Sequence, residues 1–220
     1  MNVPEIVSRL EAMGSEQIRN MNHRNGAGDN HFGVKMGDIR ALAKEIKVNH
    51  DLGLQLWATG NIDAQFLSLL LLKPKQVSAE KVEEMVASVS FANLLDWLGT
   101  NLVKLHPQKE ELRLKWLKSD HPSLARMGWS LTAERIVKSP DGLDFDSILD
   151  RVEKELAGAH ELPKWTMNFC LGEIGIASEK HRARVLEIGE KIGAYSDYPA
   201  SKGCIPPYVP VWVSEMVKRK

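Results

Sequence analysis

Cysteine is nearly absent from this chain. Cys170 and Cys204 are the two present, far apart in sequence, so neither a disulfide framework nor a CxxC pair is available. That scarcity suits a reducing cytosol. Net charge is missing as well, with Lys plus Arg equal to Asp plus Glu at 29 each. A whole-chain basic field is excluded, and any contact with a polyanion has to be a local patch. No long hydrophobic run occurs. The most apolar stretch, FLSLLLL at 66–72, falls far short of the roughly 20 residues of a membrane span. The start, MNVPEIVSRLEAMG, carries charge in its first turns and no apolar signal core. A soluble, cytoplasmic protein with no membrane contact is expected. The 7 histidines are scattered, without HExxH or a tight His/Asp cluster, so no metal site is expected. NGAGDN at 25–30 follows no strand and matches no phosphate-binding loop, and no GxSxG elbow is present. No cofactor is expected.

Strand signals are also scarce: threonine is rare and alternating β-branched runs are almost missing. Helical spacing recurs instead from end to end. It predicts helices over 3–13, 15–24, 37–47, 51–58, 62–72, 78–88, 91–105, 108–118, 122–138, 144–157, 162–177, 179–194 and 207–218. Asn61 or Asp63 can cap one start and Ser78 another, while Pro122 sits early in its helix. The links are short, which favours antiparallel neighbours. A faint repeat is visible: Trp57 precedes Ala64-Gln65-Phe66 and Leu70, and Trp116 precedes Ala125-Arg126-Met127 and Leu131. The fold class expected is all-α, an α-α superhelix (solenoid) of HEAT-like helical repeats. It is expected to form one domain over 1–220 and to be a monomer. The segment 196–220 is proline-rich, then apolar, then basic, and is expected to cap the last repeat.

One residue interrupts this apolar pattern. In SFANLLDWLGTNLVKLHP, 90–107, the residues Phe91, Leu94, Leu95, Leu98, Leu102 and Leu105 follow one core-facing stripe. Asp96 points away from it, on a side shared with Ala92, Gly99, Thr100 and Val103. That small, uncharged side is unlike a solvated face and reads as the floor of a groove with one carboxylate on it. Arg40, Lys44 and Lys47 form a basic stripe beside Lys35. It is either the wet side of an amphipathic helix or a track for phosphates. Arg126 and Trp129 share a helix face at i, i+3. Most of the 6 tryptophans are expected in the core. Trp97 adjoins Asp96 in sequence but lies about 100° round the wheel from it.

Four stretches together resemble a known family. HFGVKMGDIRALAKEI (31–46), LWATGNIDAQFLSLLLL (56–72), LLDWLGTNLVKLHP (94–107), and Trp116 with ARMGWSLTAERI (125–136) are similar in order and spacing to the bacterial DNA alkylation repair proteins of the AlkD-like group. The resemblance spans about 15–175. It implies a HEAT-like fold and a DNA glycosylase that removes positively charged alkylated purines such as 3-methyladenine and 7-methylguanine. Such a base leaves neutral, so no strong general acid is needed. A carboxylate that stabilises charge growing on the deoxyribose and positions water suffices. By the resemblance Asp96 is that catalytic residue. Arg126 matches an arginine on DNA phosphate, and Lys35, Arg40, Lys44 and Trp129 are expected to complete a contact made mainly with the backbone of double-stranded DNA. The sequence departs from the family in two places. Active relatives carry a tryptophan one turn before the aspartate, where this chain has Phe91 and Ala92. A second tryptophan is matched by Leu171, with Trp165 nearby. In the family the damaged base stays near the duplex, and with few aromatic walls the same is expected here. Two alternatives stay open: a non-catalytic binder of damaged or branched DNA, and a helical-repeat scaffold for protein interactions.

Overall fold

Helix starts fall where short polar residues precede apolar runs. In the computed structural model, which describes residues 1–219, the side chains of Asn2, Asn49, Asn61, Ser78 and Asp144 each accept the backbone N–H three residues on. That bond satisfies one of the free donors of a first helical turn. The described residues form thirteen α-helices joined by turns and short 3-10 segments, and no strand. They divide into two compact units, the second beginning at Glu110. Lys220, the end of the basic tail, lies outside the described residues.

In the first unit the helices are α1 (Val3–Ala12), α2 (Glu16–Arg24), α3 (Met36–Ile46), α4 (His50–Ala58), α5 (Ile62–Leu71), α6 (Ala79–Ala87) and α7 (Ala92–Asn101). Helix α5 is its centre and packs against α1, α3, α4 and α7. Its sequence, IDAQFLSLLL, is apolar nearly all round, as a fully surrounded helix requires. Its polar side chains are bonded internally: Ser68 Oγ donates to Gly53 O at 2.7 Å and Gln65 Nε2 to Trp57 O at 3.4 Å. Gly53 makes the α4–α5 approach possible, since a Cβ there would lie 2.9 Å from Leu72 Cδ2.

Helix α7 ends four residues before the predicted 105. At Leu102 the backbone turns to φ −128°, ψ −63°, and Val103–Leu105 form a 3-10 turn. The tighter turn advances about 120° per residue instead of 100°, which shifts the phase of the pattern. Val103, expected on the Asp96 side, is therefore fully buried, and Leu105, expected in the core, is 58% exposed. The other stripe residues, Phe91, Leu94, Leu95, Leu98 and Leu102, are buried.

In the second unit the helices are α8 (Lys109–Trp116), α9 (Pro122–Lys138), α10 (Phe145–Glu155), α11 (Glu161–Ala177), α12 (Glu179–Ile192) and α13 (Val209–Lys218). Helices α9 and α11 form the most extensive pairing in this unit. Gly128 lets α9 reach the end of α8, because a Cβ there would meet Leu117 N at 2.8 Å. The tail does not wander: α13 lies on α11 and α12, its Trp212 ring filling the space a Cβ of Gly172 would need and its Val213 abutting Gly175. Trp57 and Trp116 take matching places, in the last turn of α4 before α5 and of α8 before α9, as the faint repeat implies.

Candidate functional site

The loop before α3 is positioned by a buried carboxylate. Asp63, 1% exposed, accepts Phe32 N (2.6 Å) and Gly33 N (3.1 Å) on Oδ2 and Val34 N (3.1 Å) on Oδ1. Three amide donors converging on one carboxylate are charge-assisted bonds in a dry setting, which makes a firm clamp. Gly33 is needed on two counts: its φ is +79°, and a Cβ would lie 2.6 Å from both Arg19 N and Ser15 O. His31 completes the loop, its Nδ1 donating to Gly28 O at 2.8 Å. The clamp sets Val34, Lys35 and Met36 in place at the start of α3.

Val34 and Met36 form one side of a cavity of about 420 Å³. Helix α2 contributes Ile18, Met21 and Asn22, α5 contributes Phe66, and α7 contributes Asn93, Asp96, Trp97 and Thr100. Val34 and Phe66 are buried, whereas Asn93, Asp96 and Thr100 are exposed along the outer side of α7. The buried part of the lining is mainly apolar, and Asp96 stands on the exposed side with Asn93, Thr100 and Met21. Trp97 is half-buried and fixed: its Nε1 donates to Phe66 O at 3.1 Å, and its ring meets Phe66 edge-on at 6.1 Å. The Arg40 guanidinium lies over the Trp97 ring, 5.0 Å from its centre, a cation–π contact. The Thr100 hydroxyl donates back to Asp96 O at 2.9 Å.

The structure therefore brings Asp96, Trp97 and Arg40 together. Asp96 was singled out by its place on the helical wheel. Trp97 lies about 100° round the helix from Asp96, and a cavity that wraps two sides of a helix accommodates both. Lys35 is exposed at the N-cap of α3, next in the chain to two lining residues, and Lys44 is exposed one turn beyond Arg40. Phe91 is buried and Ala92 does not line the cavity, so Asn93 alone represents the turn before Asp96.

Two expected contacts are corrected. Trp129 is 2% exposed, inside the core of the second unit, with Arg151 4.9 Å from its ring centre; it cannot face a groove. Arg126 is 3% exposed and its Nη1 donates to Leu162 O at 2.9 Å, so its guanidinium holds the start of α11 instead of presenting itself to phosphate. Burial decided both: α9 is covered on more sides than its mixed composition suggests. Leu171 is likewise fully buried. Cys170 donates to Trp129 O at 3.1 Å, and burial pushes its thiol well above the usual range, so it is inert. Among the described residues no group of three or more His, Cys, Asp or Glu is placed to hold a metal, and no helix is long and apolar enough to cross a membrane.

Sequence reading missed Asp63, whose only hint is a carboxylate inside an apolar run just after a sufficient cap at Asn61. It also missed an aromatic cluster in the second unit. Trp165 meets Phe169, Tyr195 and Tyr198 at 5.2–5.7 Å, and Phe169 meets Trp212 at 4.9 Å. Burial pushes the Tyr195 phenol up to about 12.

A helical protein with a carboxylate and an indole on one cavity, and cations on the adjoining helix, is the class that fold and site define. The chain belongs to the DNA alkylation repair enzyme family, whose model matches residues 6–192. It is similar to an uncharacterized protein of Listeria innocua, 25% identical over 74% of this chain and 72% of that one. It is also similar to an uncharacterized protein of Listeria monocytogenes, 23% identical over the same shares. Its fold matches a solved structure from a new family of proteins related to the HEAT-like repeat DNA glycosylases with affinity for branched DNA structures. The TM-score is 0.80 at 23% identity, covering 100% of this chain and 95% of that one. The fold is thus HEAT-like.

Proposed function

We propose that this chain is a DNA-binding repair protein that excises positively charged alkylated purines by hydrolysing the N-glycosidic bond. The observation that carries this reading is the placement of Asp96 and Trp97 on one cavity. As the bond lengthens, positive charge grows on the deoxyribose. An exposed carboxylate on the cavity lowers that barrier by Coulomb attraction and orients the attacking water. Trp97 supplies the aromatic face that the preceding turn lacks. Lys35, Arg40 and Lys44 on the loop and α3 provide contacts to the phosphate backbone.

The test is release of 7-methylguanine from methylated duplex DNA. Release above the spontaneous rate is expected from the unaltered chain, and Asp96→Asn lowers it about 10²–10³-fold, the usual effect of deleting one electrostatic stabiliser, with DNA affinity nearly unchanged. A chain that binds DNA but releases no base rules out catalysis.

Two observations favour a second reading, a binder of branched DNA without chemistry. Only Asn93 reaches the cavity from the turn before Asp96, and a solved relative in fold belongs to proteins with affinity for branched DNA. Tighter binding to a four-way junction than to a linear duplex, together with no base release, selects it.

A further inference from the structure

Several arginines of this chain are spent on the protein itself. Arg113, Arg135 and Arg184 pair with carboxylates, and Arg126 and Arg182 donate to carbonyl oxygens. Arg40 is different. It is exposed on α3, and among the described residues neither a carboxylate nor a carbonyl oxygen takes its N–H groups. What holds it is a ring: the guanidinium lies 5.0 Å from the centre of Trp97. That ring is itself fixed, its Nε1 donating to Phe66 O at 3.1 Å and the indole meeting Phe66 edge-on. An indole attracts the charge of a guanidinium and leaves the donors in its plane for another acceptor.

We infer that Trp97 is a positioning residue, which holds Arg40 ready for a two-pronged hydrogen bond to a single backbone phosphate beside the helix that carries Asp96. The inference rests on the DNA-binding reading of this face and gives Trp97 a task performed through Arg40, which the sugar chemistry at Asp96 does not require. A free arginine side chain loses rotamer freedom when it docks on a phosphate. The indole removes part of that freedom before DNA arrives, so more of the new bond appears as affinity. The planar fork matches two phosphate oxygens, whereas an ammonium offers a point charge. Lys35 and Lys44, exposed at the cap and on the body of the same helix, therefore add charge without direction. Arg40 is the contact that sets the angle at which a strand meets α3, and Trp97 is what makes that contact directional.

The experiment uses the full chain and an undamaged duplex, which reads the backbone contact apart from any base excision. Affinity is measured by fluorescence anisotropy at graded salt for Arg40→Gln, Trp97→Leu and the double variant, with thermal unfolding reporting whether each is folded. Arg40→Gln is expected to weaken binding about tenfold and to lower the slope of log affinity against log salt by about 0.9. Trp97→Leu is expected to weaken binding about 2–5-fold with Arg40 present, and to have almost no effect in the Arg40→Gln background. Arg40→Lys keeps the slope and loses affinity, and Trp97→Phe, which keeps a ring, retains part of it. A Trp97→Leu effect equal in both backgrounds overturns the inference, since Trp97 then touches DNA itself. An Arg40→Gln variant that binds as the unaltered chain does also overturns it. NMR of the unaltered chain needs no variant to fold: the Arg40 Nε–H proton is expected to be displaced by the Trp97 ring current, and to keep that displacement while its exchange with water slows on adding duplex. Return of the signal to its ordinary position on binding means that the arginine leaves the ring, and overturns the inference. Failure to bind the duplex overturns the DNA reading and this inference together. Binding with the expected coupling, but without release of 7-methylguanine from methylated DNA, supports the inference and overturns only the glycosylase reading.

Discussion

The Asp63 carboxylate takes three backbone N–H groups from Phe32, Gly33 and Val34, and a neutral amide can accept on only one of its two terminal atoms. Asp63→Asn therefore turns an NH₂ group toward amide donors in a buried setting. A loss of about 2–3 kcal/mol is expected, read from the urea midpoint. An unchanged midpoint would mean that the loop does not depend on this clamp. Legibility at this scale was uneven. Asp96 stood out because a carboxylate broke an apolar pattern on the side away from the core stripe, and it lies on the cavity. Asp63 breaks an apolar pattern too, yet one helix turn cannot tell a cap from a clamp on a loop thirty residues earlier. Arg126 and Trp129 sat on one helix face as expected, but whether a face meets solvent depends on what else packs there.

The contacts of α8, α9 and α13 decide how the second unit responds to acid and to added bulk. Glu110 accepts from Arg113 at 2.7 and 2.8 Å and pairs with Arg135. The hydrogen bonds from Arg113, then its charge and that of Arg135, hold the Glu110 carboxyl below its ordinary value of 4.5. A carboxyl depressed in the folded state stabilises above its unfolded value and loses that stabilisation as pH falls through its folded value. The thermal midpoint is thus expected to fall on acidification below about pH 4.5. Glu110→Gln should lower the midpoint at pH 7 and flatten the acid limb, as scanning calorimetry from pH 7 to 3 would reveal. Arg113 also donates to Thr132 Oγ1 at 3.2 Å, so the pair links α8 to α9. Helix α13 rests on the bare backbone at Gly172. Gly172→Ala pushes Trp212 aside and is expected to cost about 1–3 kcal/mol by overpacking; Trp212→Ala in the same chain should recover part of it, which a double-mutant cycle in urea would measure. Helix number and order were legible because apolar spacing and caps are local. The short end of α7 was not, since a 3-10 turn at Leu102 leaves no separate mark in composition.

Over the molecule as a whole, equal numbers of acidic and basic side chains mean that affinity for a polyanion cannot come from net charge. We propose that it comes from the local array of Lys35, Arg40 and Lys44. On the proposed reading, each phosphate contact adds about 0.9 to the slope of log affinity against log salt. Changing all three cations to Gln should lower that slope by roughly 2–3 and weaken binding to every duplex alike, as fluorescence anisotropy at graded salt would measure. An unchanged slope would place the DNA contact elsewhere.

The amino-acid sequence alone determined the helical class, the order of the helices among the described residues, and the family, and it singled out Asp96 as a candidate. Those depend on periodicity, capping and motif order, which are properties of neighbours along the chain. Tertiary structure alone decided that Trp97 joins Asp96 at one cavity, that Arg40 lies on the indole, that Asp63 ties down the loop, and that Arg126 and Trp129 are covered. Each of these is a meeting or a burial set by packing between helices, where a rotation of one helix or one tighter turn changes which side chain faces which neighbour.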